Sequence, residues 1–145
     1  MILISHRGNI NGPNPKLENS PEYIQLAMEK GFDVEVDVWY KNNNWWLGHD
    51  EPTYKVQLDF FFHGSMWIHA KNIEALCKFE PLGLNAFWHQ NDDYTLTSSN
   101  YIWAYPNKLV PEGFKTIAVM PEWHDTDISK FEGICSDYVG KYKND

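Results

Sequence analysis

The chain has 145 residues, of which 43% are hydrophobic and 16% aromatic, and its formal net charge is −8. This length favours a single domain over residues 1–145, and the apolar content excludes a disordered chain because burial can offset the conformational entropy of folding. The negative charge argues against non-specific nucleic-acid binding, which needs a surface rich in lysine and arginine.

The sequence also lacks targeting and transmembrane signals. No basic stretch followed by a long apolar run opens the chain, and no window of about 18 consecutive apolar residues occurs. The two cysteines, Cys77 and Cys135, form no CxxC pair. We therefore expect buried free thiols in a cytoplasmic protein without a membrane span.

Short apolar runs separated by turn residues predict many β-strands. We expect strands over residues 2–5, 33–39, 45–47, 66–70, 86–88, 101–104, 116–120 and 134–139. A helix is predicted between the first two strands, with Ser20 as its N-cap, Pro21 in its first turn and Gly31 at its end. Strand, helix and strand in this order imply a parallel crossover connection.

Later helical segments are weaker and cover residues 57–62, 73–79 and 127–131. Most of the strand runs are apolar without strict alternation, which is typical of a parallel sheet covered on both faces. The predicted fold is an α/β one: a compact, truncated TIM-type (β/α) barrel with seven or eight strands and shortened or missing outer helices.

The segment VEVDV, residues 34–38, carries two carboxylates on one face of a strand. Glu35 and Asp37 point to the same side because side chains alternate along a strand. They repel each other unless a cation or an arginine lies between them. The segment indicates either a site for Mg²⁺ or Ca²⁺, which prefer oxygen ligands, or a solvent-facing row on an edge strand.

Several basic side chains fall at the ends of predicted strands. His6 and Arg7 close the first strand, and the asparagine turn at residues 42–44 is expected to return His49 towards the carboxylate pair. Alone, each histidine is more often structural, but two histidines across a carboxylate pair can act as base and acid around a phosphate. His69 and Lys71 share one strand face, and a buried lysine needs a carboxylate or a phosphate.

His89 follows the strand predicted at residues 86–88 and precedes the polar residues QNDD. Residues 89–93 form either a plain turn or a loop that directs His89 into the mouth of the predicted barrel, where it would contact substrate.

Several motifs in order resemble the glycerophosphodiester phosphodiesterase family of phospholipase-C-like barrels. They are SHRGN at residues 5–9, LENSPEYIQLAMEKGFDVEVDVW at 17–39, LGHDEP at 47–52, IHAK at 68–71 and, as the last strand, GICSDYVG at 133–140. The resemblance implies a phosphodiester hydrolase. The residues it implies are the acid–base pair His6 and His49, the phosphate-binding Arg7 and Lys71, the metal-binding Glu35 and Asp37, and Glu18 as a nearby site carboxylate.

The sequence departs from the family pattern in two respects. His69 stands where the family has an acid two residues before the lysine, which replaces a negative ligand by an imidazole. We expect a metal held by Glu35, Asp37 and His69, with Mg²⁺ favoured and Ca²⁺, Mn²⁺ or another borderline metal as alternatives. The same substitution also leaves open a site that holds no metal. The chain is also shorter than the about 250 residues of such a barrel. Either one βα unit is missing, or a strand is hidden in DDYTLTSSNYI, residues 92–102.

The sequence thus predicts a metal-assisted phosphodiester hydrolase acting on a glycerophosphodiester-like or other small alcohol phosphodiester. The alternatives are a catalytically degenerate barrel that binds a phosphorylated headgroup or sugar without turnover, and a plain structural barrel whose polar strand ends are only solvated. Exposed aromatic side chains are expected at residues 45–46 and 60–62, and they could cover a thin helical layer by pairing with a second copy, so a homo-oligomer is a further hypothesis.

Overall fold

A computed structural model describes residues 1–144 and contains ten β-strands and two short α-helices. The strands are β1 (Ile2–His6), β2 (Asp33–Lys41), β3 (Asn44–Leu47), β4 (Tyr54–Val56), β5 (Met66–Ala70), β6 (Ala86–Phe87), β7 (Tyr94–Leu96), β8 (Ile102–Ala104), β9 (Thr116–Val119) and β10 (Gly133–Ser136). The helices are α1 (Pro21–Glu29) and α2 (Ile73–Phe79). Short 3₁₀ turns cover Leu58–Phe62, Glu80–Leu82, Pro121–Trp123, Ile128–Lys130 and Val139–Tyr142.

Helix α1 is confirmed at its predicted position. Ser20 is extended and precedes Pro21 in the first turn, where the missing N–H of proline costs nothing. Ile24 and Ala27 are fully buried against the sheet. The helix stops before Gly31, whose φ of +89° suits glycine and ends the helical hydrogen bonding.

Seven strands run parallel in the order β6, β5, β2, β1, β10, β9 and β8. Strand β7 is antiparallel to β8 at one end of this set. Strand β3 pairs antiparallel with the last four residues of β2, beyond the end of β1, and β4 continues this hairpin. The sheet is therefore mixed.

The predicted truncated TIM-type barrel is wrong, because residues 1–144 form a mixed, curled sheet with only two short α-helices. The hidden strand at residues 92–102 exists as β7, but five residues separate it from β8. That spacing permits a hairpin, whereas a parallel crossover needs about a dozen residues or more. Among residues 1–144 no strand pairing joins β6 to β8. The link between β7 and β8 contacts β6 instead, through the Ser98 N–H, which donates to the Ala86 carbonyl at 2.9 Å.

The outer face of the sheet is covered by a hairpin and a 3₁₀ turn as well as by the helices. Val34, Val36 and Val38 of β2 are fully buried beneath this layer. Trp45 of β3 packs on Phe79 of α2 with ring centroids 4.5 Å apart, and Phe61 lies 5.3 Å from Trp45. The expectation of exposed aromatics is therefore wrong at residues 45 and 61, because these rings substitute for missing helices. Phe62 is exposed.

The inner face of the sheet has its own apolar core. Phe87 of β6 lies 4.8 Å from Trp103 of β8, and Trp67 of β5 lies 5.8 Å from Trp103, measured between ring centroids. These strands belong to opposite ends of the parallel set, so the contacts require the sheet to curl almost onto itself. Ile4, Ile117 and Cys135 complete this core.

Two further expectations concern cysteine burial and membrane spans. Cys135 is buried as expected, but Cys77 is exposed on α2, so the prediction of a buried thiol is wrong there. None of the helices between residues 1 and 144 is long and apolar enough to cross a bilayer.

Because the curled sheet brings Phe87 of β6 into contact with Trp103 of β8, we expect their contributions to stability to be coupled. In Phe87→Leu and Trp103→Leu variants, a double-mutant cycle in urea should give a coupling free energy of about 0.5–1.5 kcal/mol, as for aromatic pairs in contact. Phe61 lies on the outer face, so Phe87→Leu and Phe61→Leu should be additive within about 0.5 kcal/mol. Additive effects of the Phe87 and Trp103 changes would mean that the sheet is open in solution.

Candidate functional site

The carboxyl ends of the parallel strands surround a cavity of about 470 Å³. Polar side chains from β1, β2, β5 and the loops after them line one part of it. The rest is lined by apolar and aromatic groups at the ends of β8 and β9. The principal lining residues are His6, Arg7, Glu35, His49, His69, Lys71 and His89 in the polar part, and Trp103, Tyr105, Pro106, Val119, Met120 and Trp123 in the apolar part.

Glu35 of β2 lines this cavity, and Asp37 lies fully buried beside it. Glu35 is 2% exposed and Asp37 is 0% exposed, and they share a face because they are two residues apart on one strand. Asn19 fixes Asp37 by donating its side-chain amide to Oδ2 at 2.9 Å and accepting the backbone N–H of Asp37 at 3.0 Å. Glu35 Oε2 and Asp37 Oδ1 are buried without a hydrogen-bond partner among the described residues.

His69 faces both carboxylates from the neighbouring strand β5. Its Nδ1 lies 3.2 Å from Asp37 Oδ1 and 3.7 Å from Glu35 Oε1, which are ion-pair distances. Its Nε2 lies 2.7 Å from the carbonyl oxygen of His89, which only accepts, so Nε2 carries a proton. The ring also stacks on Phe87 with centroids 5.1 Å apart. His69 is thereby fixed in one orientation.

The protonation of His69 follows from these neighbours. Burial alone would lower the pKa of His69, but Asp37 and Glu35 raise it to about 9. Burial likewise opposes ionisation of Asp37, but His69, Arg7 and Asn19 bring its pKa below the usual value. In the absence of a metal the imidazolium therefore neutralises part of the carboxylate charge at neutral pH.

Arg7 supplies a second positive charge behind the pair. Its Nε lies 3.2 Å from Asp37 Oδ2, and one Nη lies 3.3 Å from Glu18 Oε1. Glu18 also accepts the backbone N–H of Asn14 at 2.9 Å. Glu18 is not among the residues that line the cavity, so its contact with the site runs through Arg7. The φ of Arg7 is +57°, a conformation that the adjoining turn with Gly8 imposes on the end of β1.

His6 is held by a carboxylate that the sequence analysis did not select. Its Nδ1 lies 2.7 Å from Asp137 Oδ1, and Asn9 donates to the same oxygen at 2.9 Å. Burial raises the pKa of Asp137, but the bonds from His6 and Asn9 outweigh it and the net direction is down. An ionised Asp137 fixes a proton on Nδ1, and the opposite nitrogen, Nε2, lies 3.8 Å from Glu35 Oε2.

The remaining candidates lie around the opening. His49 is exposed and its Nδ1 lies 2.7 Å from Asp50 Oδ1. Lys71 lines the cavity and forms no ion pair with any residue from 1 to 144. His89 stacks on Tyr105 at 5.9 Å and places Nε2 2.6 Å from the Asp92 carbonyl, while burial lowers its pKa.

Asp137 and Asn19 are site residues that sequence reasoning missed. Both lie inside the quoted motifs, GICSDYVG and LENSPEYIQ, but neither motif gives them a role. Asp137 meets His6 across 131 residues because β1 and β10 are neighbours in the sheet. Asn19 has a positive φ of +64°, which asparagine tolerates, and that turn aims its amide at Asp37. A turn-forming asparagine just before a helix was the available signal.

Glu35, Asp37 and His69 form a group that could hold a metal ion, since one ligand atom from each lies within 4.8 Å of the others. Glu35 Oε2 is buried without a hydrogen-bond partner among the described residues, and Asp37 Oδ1 faces His69 Nδ1 at 3.2 Å, so a cation would take the place of the Nδ1 proton between them. The Nε2–H bond from His69 to a backbone carbonyl is the outer contact that metal-bound histidines usually make.

Comparison with protein-family models, curated proteins and solved structures finds no match for this chain. The resemblance to glycerophosphodiester phosphodiesterases therefore rests on the sequence motifs, and the site must be interpreted from its own chemistry.

The ion pair at His69 predicts a specific pH dependence of stability in metal-free protein. Because the folded pKa of about 9 exceeds the ordinary value of 6.5, the stabilisation is complete below about pH 6.5 and is lost as pH rises through 9. Each pKa unit corresponds to about 1.4 kcal/mol, so a loss of a few kcal/mol is expected. Urea unfolding at several pH values with a chelator measures it.

Two variants control this measurement. His69→Gln should flatten the decrease above pH 6.5, whereas His124→Gln, the same change at an exposed histidine outside the cavity, should preserve it. A free energy of unfolding in the parent protein that stays constant across this range would contradict the ion pair.

Proposed function

We propose that the protein is a metal-assisted phosphodiester hydrolase acting on a glycerophosphodiester-like or other small alcohol phosphodiester. One observation supports the proposal above all: His6, fixed by Asp137, opens onto the same cavity as Arg7, Lys71 and two members of the metal-binding group, Glu35 and His69. A proton acceptor, cations for phosphate oxygens and a metal-binding group are thus within one cavity of about 470 Å³.

His6 is the proposed general base. Asp137 holds its Nδ1 proton, so Nε2 can accept a proton from an attacking water or from a hydroxyl of the substrate. As that oxygen bonds to phosphorus, the bond from phosphorus to the leaving alcohol oxygen breaks. The hydrogen bond to Asp137 keeps the His6 ring in the productive tautomer throughout the reaction, as orienting carboxylates do for catalytic histidines.

His49 is the proposed general acid, which gives its proton to the leaving alcohol oxygen. It lines the cavity from the turn that follows β3, and Asp50 holds its Nδ1 at 2.7 Å. Its exposure suits this role, because the leaving alcohol must depart towards solvent. The proton taken by His6 and the proton given by His49 balance over one turnover.

Lys71 and Arg7 are the proposed phosphate ligands. Lys71 has no carboxylate partner among the described residues, so its charge is available to an anion in the cavity. Arg7 is already paired with Asp37 and Glu18, which leaves only part of its guanidinium for substrate. Both charges oppose the negative charge that grows on the phosphate oxygens during attack.

Glu35, Asp37 and His69 are the proposed ligands of a divalent cation. When bound, such a cation polarises a phosphoryl oxygen and stabilises the negative charge that develops on it. His89 is proposed to contact substrate at the rim, where its ring stacks with Tyr105. Cytoplasmic location remains part of the proposal.

The second candidate is a phosphate-binding protein without turnover, and two observations favour it. His69 can neutralise the carboxylates without a metal, and the one side chain hydrogen-bonded to His49 among the described residues is that of its neighbour Asp50. A binding protein would be stabilised by a headgroup that it does not consume.

Hydrolysis of a chromogenic phosphodiester, bis(4-nitrophenyl) phosphate, separates the two functions. We expect turnover with added Mg²⁺ or Mn²⁺, and its loss by about 10²–10⁴-fold in His6→Ala, as for removal of a general base. Because 4-nitrophenolate leaves without being protonated, the general acid His49 is tested on an unactivated dialkyl phosphodiester, on which His49→Ala should lose activity by a similar factor. His124→Ala, outside the cavity, should retain activity. Activity that survives both cavity substitutions would refute the assignment.

Absence of turnover together with a rise in melting temperature on adding glycerol phosphate would support the binding protein.

Asp137 is the sharpest test of how His6 is oriented. Asp137→Asn keeps the size of the side chain but removes the anion that fixes the Nδ1 proton, so kcat should fall by about 10²–10⁴-fold. The matched change Asp59→Asn, at an exposed position, should leave kcat unchanged. An Asp137→Asn enzyme with unaltered kcat would show that the contact between His6 and Asp137 plays no part in the reaction.

A further inference from the structure

The three residues of the metal-binding group differ in donor chemistry. Glu35 and Asp37 contribute carboxylate oxygens, whereas His69 contributes an imidazole nitrogen. The side chains of Glu35 and Asp37 are 3% and 1% exposed, so water competes little for their free oxygens. The group is therefore a buried site with mixed nitrogen and oxygen donors.

The nitrogen that faces the carboxylates is Nδ1 of His69. The opposite nitrogen, Nε2, is committed to the His89 carbonyl at 2.7 Å. Stacking on Phe87 prevents the ring from turning away, since the two planes differ by only 12°. Nδ1 faces Asp37 Oδ1 at 3.2 Å and Glu35 Oε1 at 3.7 Å, so the nitrogen and both carboxylates are placed to bind the same ion.

We infer that the Glu35–Asp37–His69 group selects borderline first-row cations such as Co²⁺ and Zn²⁺ over Mg²⁺ and Ca²⁺, with His69 as the residue that sets this selectivity. The inference rests on the proposed function in that it names the cations that this site would bind most tightly. It follows from the donor atoms of these three residues, not from the identity of the substrate.

The physical basis is the match between ligand and ion. Mg²⁺ and Ca²⁺ are hard cations that take oxygen ligands almost exclusively. Imidazole suits Zn²⁺, Fe²⁺ and Ni²⁺, and affinity for nitrogen-containing sites rises from Mn²⁺ through Co²⁺ towards Cu²⁺. A carboxylate at position 69 would complete an all-oxygen set, whereas the imidazole present here penalises Mg²⁺ specifically.

The test compares Co²⁺ and Mg²⁺ affinities of the metal-stripped full chain by isothermal titration. His69→Gln replaces the nitrogen donor by an amide oxygen of similar size, and the ratio of Co²⁺ to Mg²⁺ affinity should fall by about tenfold or more. His69→Gln also changes the charge of the metal-free site, but this affects both divalent cations alike and cancels in the ratio of Co²⁺ to Mg²⁺ affinity. His124→Gln, which removes an imidazole outside the cavity, should leave the ratio unchanged.

Pulsed electron paramagnetic resonance of the Mn²⁺-loaded parent protein provides a readout that needs no variant. Imidazole coordination predicts coupling to one ¹⁴N nucleus. Its absence, or an affinity ratio unchanged in His69→Gln, would overturn the inference. If His69→Gln does not fold, the parent protein decides, because the inference requires it both to show nitrogen coupling and to bind Co²⁺ more tightly than Mg²⁺.

Neither measurement uses a phosphodiester, so the two proposals can fail separately. Nitrogen coupling in a protein that hydrolyses no phosphodiester would refute the proposed function alone. Turnover with Mg²⁺ in a protein that shows no nitrogen coupling would refute the selectivity alone.

Discussion

The structure depends on one electrostatic constraint, the burial of two carboxylates side by side on the inner face of β2. Glu35 and Asp37 are almost inaccessible to water, and like charges so placed are strongly unfavourable unless cations neutralise them. The neighbouring strands provide those cations, Arg7 from the end of β1 and His69 from β5. The polar layer of the cavity is therefore a charge-balanced unit that requires β1, β2 and β5 in this register.

The sheet supports this unit by separating apolar and polar layers. Trp67, Phe87 and Trp103 fill the inside of the curl beneath the site, while the ring of Phe87 also limits the orientation of His69. The outer face is covered by α1, α2 and a hairpin in place of a full set of helices. A chain of 145 residues can thus surround a cavity at the strand ends, because short turns and hairpins replace most of the helical connections.

Local patterns in the sequence predicted much of this arrangement. The placement of Glu35 and Asp37 on one face follows from the two-residue period of a strand, and α1 follows from Ser20, Pro21 and Gly31. The barrel prediction failed because counting strands does not reveal their direction, and the short link between β7 and β8 enforces antiparallel pairing. Asp137 was missed because its partner is 131 residues away, a relation that only the order of strands in the sheet creates.

The central claim is that the carboxylate pair, with His69, forms a cation site that shares a cavity with a phosphate-binding group. The most direct measurement is a crystal structure of the protein soaked with Mn²⁺ and phosphate, with anomalous scattering used to locate the metal. We expect an anomalous peak in contact with Glu35, Asp37 and His69, and phosphate density in contact with Lys71. A structure without that peak under saturating Mn²⁺, in which His69 remains paired with both carboxylates, would contradict it.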